Sequence, residues 1–371
     1  MNHKNNHNII KLILILVLFG AFNIWGQDST ASGDTAKPKM FDWFAYPFAF
    51  YTPEVNLAFG AGGITYFRTS HRKGTRPSKV TLSAYYSINH QYLVYLYPVV
   101  FFNRNMDEAS AEIYFENKID KLYGIGSDAP DIENPAFQYT DFSIIVKFKR
   151  EFIKDFFATV AYEYINYKIP DPKDNPYLNT DAVYGAQGGN ISGLGYGLTY
   201  DNRDNVFFPS RGNLLEFYAL HFGSFLGSDY KFSNFFFDLR SYNAITKDDN
   251  IIAVQGYAAI TTGEPPFYAL PKLGGQHMMR GYFEGRYRDK QYLMLQVEYR
   301  KFLFWKFGGV LFIGMGDVAG KFSDFGLKNI KYSYGAGLRY ILDEDEKINL
   351  RVDIGFGKDT MGFYFGVEDA F

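Results

Sequence analysis

Residues 348–357 (INLRVDIGFG) alternate without a break, and this periodicity constrains the fold more than any other feature of the chain. Ile348, Leu350, Val352, Ile354 and Phe356 fall on one side, with Asn349, Arg351, Asp353 and two glycines on the other. A period of two sends successive side chains to opposite faces of a β-strand. Segments of the same texture recur near 42–51, 57–69, 78–89, 91–102, 108–120, 139–151, 156–168, 189–202, 211–223, 230–246, 250–262, 291–303, 306–316, 331–342, 346–357 and 361–371. That makes 16 predicted strands, an even number, as single-chain bacterial outer-membrane barrels require. One strand alone fits a soluble sandwich equally well. The strand number and the lack of a second apolar layer favour an all-β, transmembrane antiparallel β-barrel, with the apolar faces on lipid and the polar faces on the lumen. Composition agrees. The chain holds 38 Phe, 31 Tyr and 36 Gly, yet its mean hydropathy is −0.20, because lipid-facing and water-facing positions cancel in an average.

The expected domain plan is simple. Lys4 and Lys11 precede the apolar run 12–25, which is short for a membrane-spanning helix and has the form of a secretory signal peptide. Residues 1–26 are therefore read as a signal peptide cleaved before Gln27, 27–40 as a short flexible periplasmic linker, and 41–371 as the barrel. Export to the outer membrane of a Gram-negative bacterium follows. With no cysteine there is no disulfide, thiolate metal site or lipid-modified cysteine. A net charge of −2 leaves no basic footprint for nucleic acid. Connections alternate between tight turns (246–250, 342–346) and long loops (121–138, 169–188, 263–290), as periplasmic turns and external loops do. The last of these long segments is then the sixth external loop.

Within it, residues 274–290 (GGQHMMRGYFEGRYRDK) carry Arg280, Arg286 and Arg288. In the next strand, QYLMLQVEYRKFL, Leu293, Leu295, Val297 and Tyr299 take one face, which places Glu298 on the lumenal one. A carboxylate on a barrel's inner wall favours a cation beside it, and arginine's planar fork suits the task. The competing reading leaves all three arginines in water. Met279-Arg280-Gly281-Tyr282 resembles the Arg-Gly-aromatic motif in the sixth loop of the BamA/TamA family of outer-membrane barrels, and Glu298 resembles the glutamate that contacts the motif arginine there. Residues 201–212, with Asp201, Arg203, Asp204, Pro209 and Gly212, resemble the family's strand–turn–strand signature. Phe363, Phe365 and Phe371 resemble its terminal strand, a recognition signal for barrel insertion that ends on an aromatic. Only 14 residues (27–40) precede the predicted barrel, so the resemblance is to the branch without periplasmic POTRA domains. The chain departs from the family at 312–316 (FIGMG), where a second lumenal acid is usual. Asp317 and Asp353 are the candidate substitutes.

The resemblance also implies a weakly closed seam between the first and last strands. Pro47 cannot donate to a ladder, and Gly362 and Gly366 give the last strand little packing. Proline near a strand rim would be the innocent explanation. The expected function is an assembly or translocation barrel that inserts or moves proteins through the seam. A diffusion pore or a lipid-transport barrel is the alternative. The histidines of the exported chain, His71, His90, His221 and His277, are scattered, with no nucleophile elbow and no metal spacing, so no enzyme activity, metal or cofactor is expected. Expected partners are outer-membrane lipids and, by the resemblance, unfolded outer-membrane proteins or periplasmic accessory proteins.

Overall fold

In the computed structural model the described residues are 40–371 except 53, 54, 73, 74, 181, 207, 247–249, 344–347 and 368. The predicted signal peptide and nearly all of the predicted linker lie outside them, as do parts of the turns at 246–250 and 342–346. The alternating segments form β1 (Phe41–Thr52), β2 (Asn56–Phe67), β3 (Ser78–Ser87), β4 (Tyr92–Phe102), β5 (Asp107–Lys121), β6 (Ala136–Ile153), β7 (Phe156–Asp171), β8 (Gly189–Asp201), β9 (Arg211–Phe222), β10 (Phe232–Thr246), β11 (Asn250–Gly263), β14 (Gln291–Phe304), β15 (Phe307–Ala319), β16 (Lys331–Asp343), β17 (Ile348–Gly357) and β18 (Thr360–Val367), while the two short strands β12 (Lys272–Leu273) and β13 (Tyr287–Arg288) pair within the sixth external loop. The 16 long strands form one sheet in chain order, and each neighbouring pair is antiparallel. This is a transmembrane β-barrel. Among the described residues no ladder joins β1 to β18, and no helix is long and apolar enough to cross a membrane.

Side-chain phase follows the alternation. On β15, Leu311, Ile313 and Met315 are exposed, while Val310 and Phe312 are buried. On β14, Leu295 and Tyr299 face outward, while Gln296, Glu298 and Arg300 are buried within the lumen. The outward set is what a lipid-facing wall requires, and the buried polar set can exist because the neighbouring wall, the sixth loop and the tail supply partners inside the lumen.

Above the strands the long loops form a joined cap. Leu122, Phe137, Tyr167, Leu178, Val183, Ala186 and Phe267 pack into one apolar cluster contributed by three of those loops and their flanking strands. The sixth loop fastens this cap by its arginines. Arg288 is fully buried, and its Nη2 donates to the Lys121 carbonyl at 2.8 Å. Arg286 donates to the Ala129 carbonyl at 3.0 Å and lies 4.4 Å from the Tyr123 ring centroid. The reading of these arginines as free in water is therefore corrected. A buried guanidinium needs acceptors for its N–H groups, and the carbonyls of Lys121 at the end of β5 and of Ala129 in the loop after it supply them.

Candidate functional site

The tip of the sixth loop turns down into the lumen at Gly281. Its φ is +113°, a region that side-chain-bearing residues rarely adopt. A Cβ there would lie 2.5 Å from the Phe356 carbonyl carbon, and one at Gly355 would lie 2.7 Å from that of Arg280. These two glycines thus let the loop backbone lie directly on β17. The Gly281 N–H donates to Tyr364 Oη at 2.8 Å, and Thr360 Oγ1 donates to the Gly281 carbonyl at 3.0 Å. Tyr282 is buried, donates from Oη to the Tyr332 carbonyl at 3.1 Å and accepts from the Lys358 N–H at 2.9 Å. Met279 fills the space that Gly314 and Gly316 leave, each virtual Cβ standing 3.4 Å from its Sδ. Replacing Gly281 with alanine should unseat this tip at a cost of roughly 1–3 kcal/mol, the scale of a strained backbone with a clash. Limited proteolysis of the folded barrel checks it: unchanged protection of the 274–290 segment would show that the tip does not depend on this contact.

Arg280 is one member of a closed ring of six alternating charges. Its Nη1 donates to Asp353 Oδ2 at 2.6 Å, and its Nη2 donates to Glu298 Oε1. Arg300 Nε reaches Glu298 Oε2 at 2.9 Å, and Arg300 Nη1 lies 3.4 Å from Asp369 Oδ2. Arg339 closes the ring, with Nε at 2.6 Å from Asp369 Oδ1 and Nη1 at 2.5 Å from Asp353 Oδ1. The Arg280 guanidinium stacks 3.6 Å from the Phe312 ring centroid. All six ionic side chains are essentially buried. Removing such charges from water is costly, and the arrangement holds because every carboxylate meets two cations and every guanidinium two carboxylates. A fourth cation, Arg351, donates to the Gln276 carbonyl at 3.1 Å and stands 3.7 Å from Asp353. In the loop, burial and then the Arg351 charge push the His277 pKa below its usual value, and its Nδ1 lies 3.0 Å from the Ala370 carbonyl.

The structure brings Arg280, Gly281, Tyr282 and Glu298 together in one contact set. Asp353 supplies the second acid and Asp317 does not. Asp317 lies outside the lumenal parity of Phe312, Gly314 and Gly316, and pairs at the external end with Lys331 (2.7 Å) and Ser127 (2.5 Å). The last strand is also shorter than expected. It ends at Val367, and Phe371 is not on it. Instead Asp369, Ala370 and Phe371 are buried in the lumen, because Arg300 and Arg339 hold the Asp369 carboxylate there. Phe363 and Phe365 remain on the exposed face of β18.

In the turn before β9, Arg203 grips Asp201 through two hydrogen bonds of 2.8 and 2.7 Å, and Asp204 Oδ1 accepts from the Ser210 N–H at 2.9 Å, one residue after Pro209. Gly212 has φ +102° and lies against the Asn202 carbonyl. Pro47 is mid-strand, opposite Ala61, rather than at a rim. Gly362 and Gly366 leave room for Tyr364 and Arg351, respectively. Sequence reasoning missed Arg300, Arg339, Tyr364 and Asp369. Arg300 could have been found from its two-residue spacing to Glu298. Asp369 carried no such signal, since its position depends on a segment outside any strand.

The comparisons with known proteins follow the same lines. BamA from Haemophilus ducreyi lacking POTRA domains 1-3 superposes with a TM-score of 0.59 at 15% identity, over 89% of this chain and 69% of that one. CdiB from Acinetobacter baumannii superposes with a TM-score of 0.58 at 10% identity, over 89% of this chain and 59% of that one. These likenesses concern the fold. Among curated proteins none matches this chain. The profile of the Omp85 superfamily domain matches residues 76–371, the greater part of the barrel including the whole charge ring, and the chain belongs to the Omp85 superfamily.

Proposed function

We propose that this barrel inserts or translocates proteins at the outer membrane, by opening its β1–β18 seam to client strands. The observation that carries this reading is the seat of the loop lock: Gly281 is held by Tyr364 and Thr360, both on β18, the last strand of the sheet. The lock therefore braces one edge of the seam directly. The other edge, β1, has Pro47 at mid-strand, which removes one backbone donor. In lipid an unmade backbone hydrogen bond costs several kcal/mol, so an edge left for pairing is a ready template for β-augmentation. Superfamily membership supports an insertion or translocation role in general. The lock also occupies part of the lumen with buried side chains, which argues for that role over a diffusion pore. On this reading residues 1–26 direct export and are removed, and the clients are unfolded outer-membrane proteins.

Reconstitution tests the proposal. Liposomes containing the purified protein should fold a urea-denatured outer-membrane barrel several-fold faster than empty liposomes. The same preparation in planar bilayers should give small, flickering currents. No acceleration together with large, steady, ion-selective currents would assign the chain to the diffusion pores.

A further inference from the structure

The segment after β18 does something that a strand end need not do. It leaves the wall and crosses to strands far around the sheet. Ala370 and Phe371 share a buried cluster with Tyr242 of β10 and Ala253 of β11. The Phe371 ring centroid lies 5.3 Å from the Arg300 guanidinium, whose Nη2 donates to the Phe371 main-chain oxygen at 2.7 Å. Asp369 is gripped by Arg300 and Arg339, and Ala370 by His277 of the sixth loop.

We infer that residues 369–371 form an internal latch on the last strand, coupled through the charge ring to the sixth external loop. Asp369 is the member of the ring that the tail contributes, as Arg280 is the member contributed by the loop. Two paths connect them through wall residues, Arg280–Glu298–Arg300–Asp369 and Arg280–Asp353–Arg339–Asp369. His277 adds a direct contact between loop and tail. Loss of either end leaves wall charges short of a partner inside a low-dielectric lumen, so each end stabilises the other. Beside the tail a cavity of about 310 Å³, lined in part by Arg203, Arg240, His277 and Phe371, gives the released segment somewhere to go. Without the latch, β18 keeps its ladder to β17 but loses its tether to the far wall. The latch bears on seam opening only if the insertion reading holds, whereas the coupling itself does not depend on that reading.

The absence of cysteine makes a direct test available. Ala370→Cys places a single thiol in the buried tail, and its reaction with a membrane-impermeant maleimide reports release in the full, folded chain. Asp369→Asn should raise the labelling rate about tenfold or more, the scale of losing hydrogen bonds between charged groups. Arg280→Gln should raise it as well, although Arg280 does not touch the tail, and Lys290→Gln, outside the ring, should not. Should Arg280→Gln fail to fold, Arg280→Lys keeps the charge while losing the two-pronged contact and should still accelerate labelling. An unchanged rate in Asp369→Asn would overturn the latch, and a response to Asp369→Asn without one to either Arg280 variant would overturn the coupling. No client enters the measurement, so a failure here leaves the insertion reading intact, and a failed insertion assay leaves the latch intact.

Discussion

Arg280→Ala should free the sixth external loop from the lumen and destabilise the barrel by about 3–5 kcal/mol, the cost of leaving buried charges without their partner. The size of the effect follows from the ring. Glu298 would keep only Arg300, and Asp353 would keep Arg339 with the longer contact to Arg351. The stacking of the guanidinium on Phe312 would be lost too. Urea denaturation of the detergent-solubilised barrel, followed by heat-modified migration on gels, measures the shift. Charge reversal separates the ion pair from mere packing. Arg280→Glu should be at least as damaging, and combining it with Glu298→Arg should recover part of the loss. Recovery should stay partial, because the reversed charge at 280 would then face Asp353, which stands at hydrogen-bonding distance. Tolerance of the single reversal would mean that Arg280 is held by nothing in solution.

The second large effect concerns the seam. Cysteine pairs scanned along β1 and β18 should, once a pair oxidises to a disulfide, reduce client insertion to the rate of empty liposomes, with reductant restoring it. A disulfide needs Cβ atoms ~3.5–4.5 Å apart, so only juxtaposed pairs will close and the scan reports the register as well. The control is a pair at Ala61 and Ala84, which face one another on β2 and β3 within an existing ladder. Closing that pair should leave insertion unchanged. Full activity with the seam locked would remove seam opening from the mechanism, whatever the barrel does instead.

Much of this architecture was legible in the residues themselves. On β14 the apolar Leu293, Leu295 and Val297 put Glu298 inside, and on β17 the run from Ile348 to Phe356 put Asp353 inside. The structure has both carboxylates buried in the lumen. The motif Arg-Gly-Tyr at 280–282 pointed to a loop with a lumenal partner. Two readings failed. Asp317 was offered beside Asp353 although the alternation of β15 turns it to the opposite face, and it pairs with Lys331 and Ser127 instead. Phe371 was placed on the terminal strand by resemblance, but the strand stops at Val367.

By itself, then, the sequence determined nearly all of the strands, their inward and outward faces, and that Glu298 and Asp353 would line the lumen. A two-residue period is a local property of extended backbone, and it is written in every few residues. Only the tertiary structure decided which of those charges meet. Arg280 arrives on a loop, Asp369 on a segment beyond the last strand, and Glu298, Arg300, Arg339 and Asp353 from three strands of the wall. No local periodicity governs where a loop or a tail crosses a lumen. That is set by the closing of partners that are distant in the chain, each of which makes the burial of the others affordable.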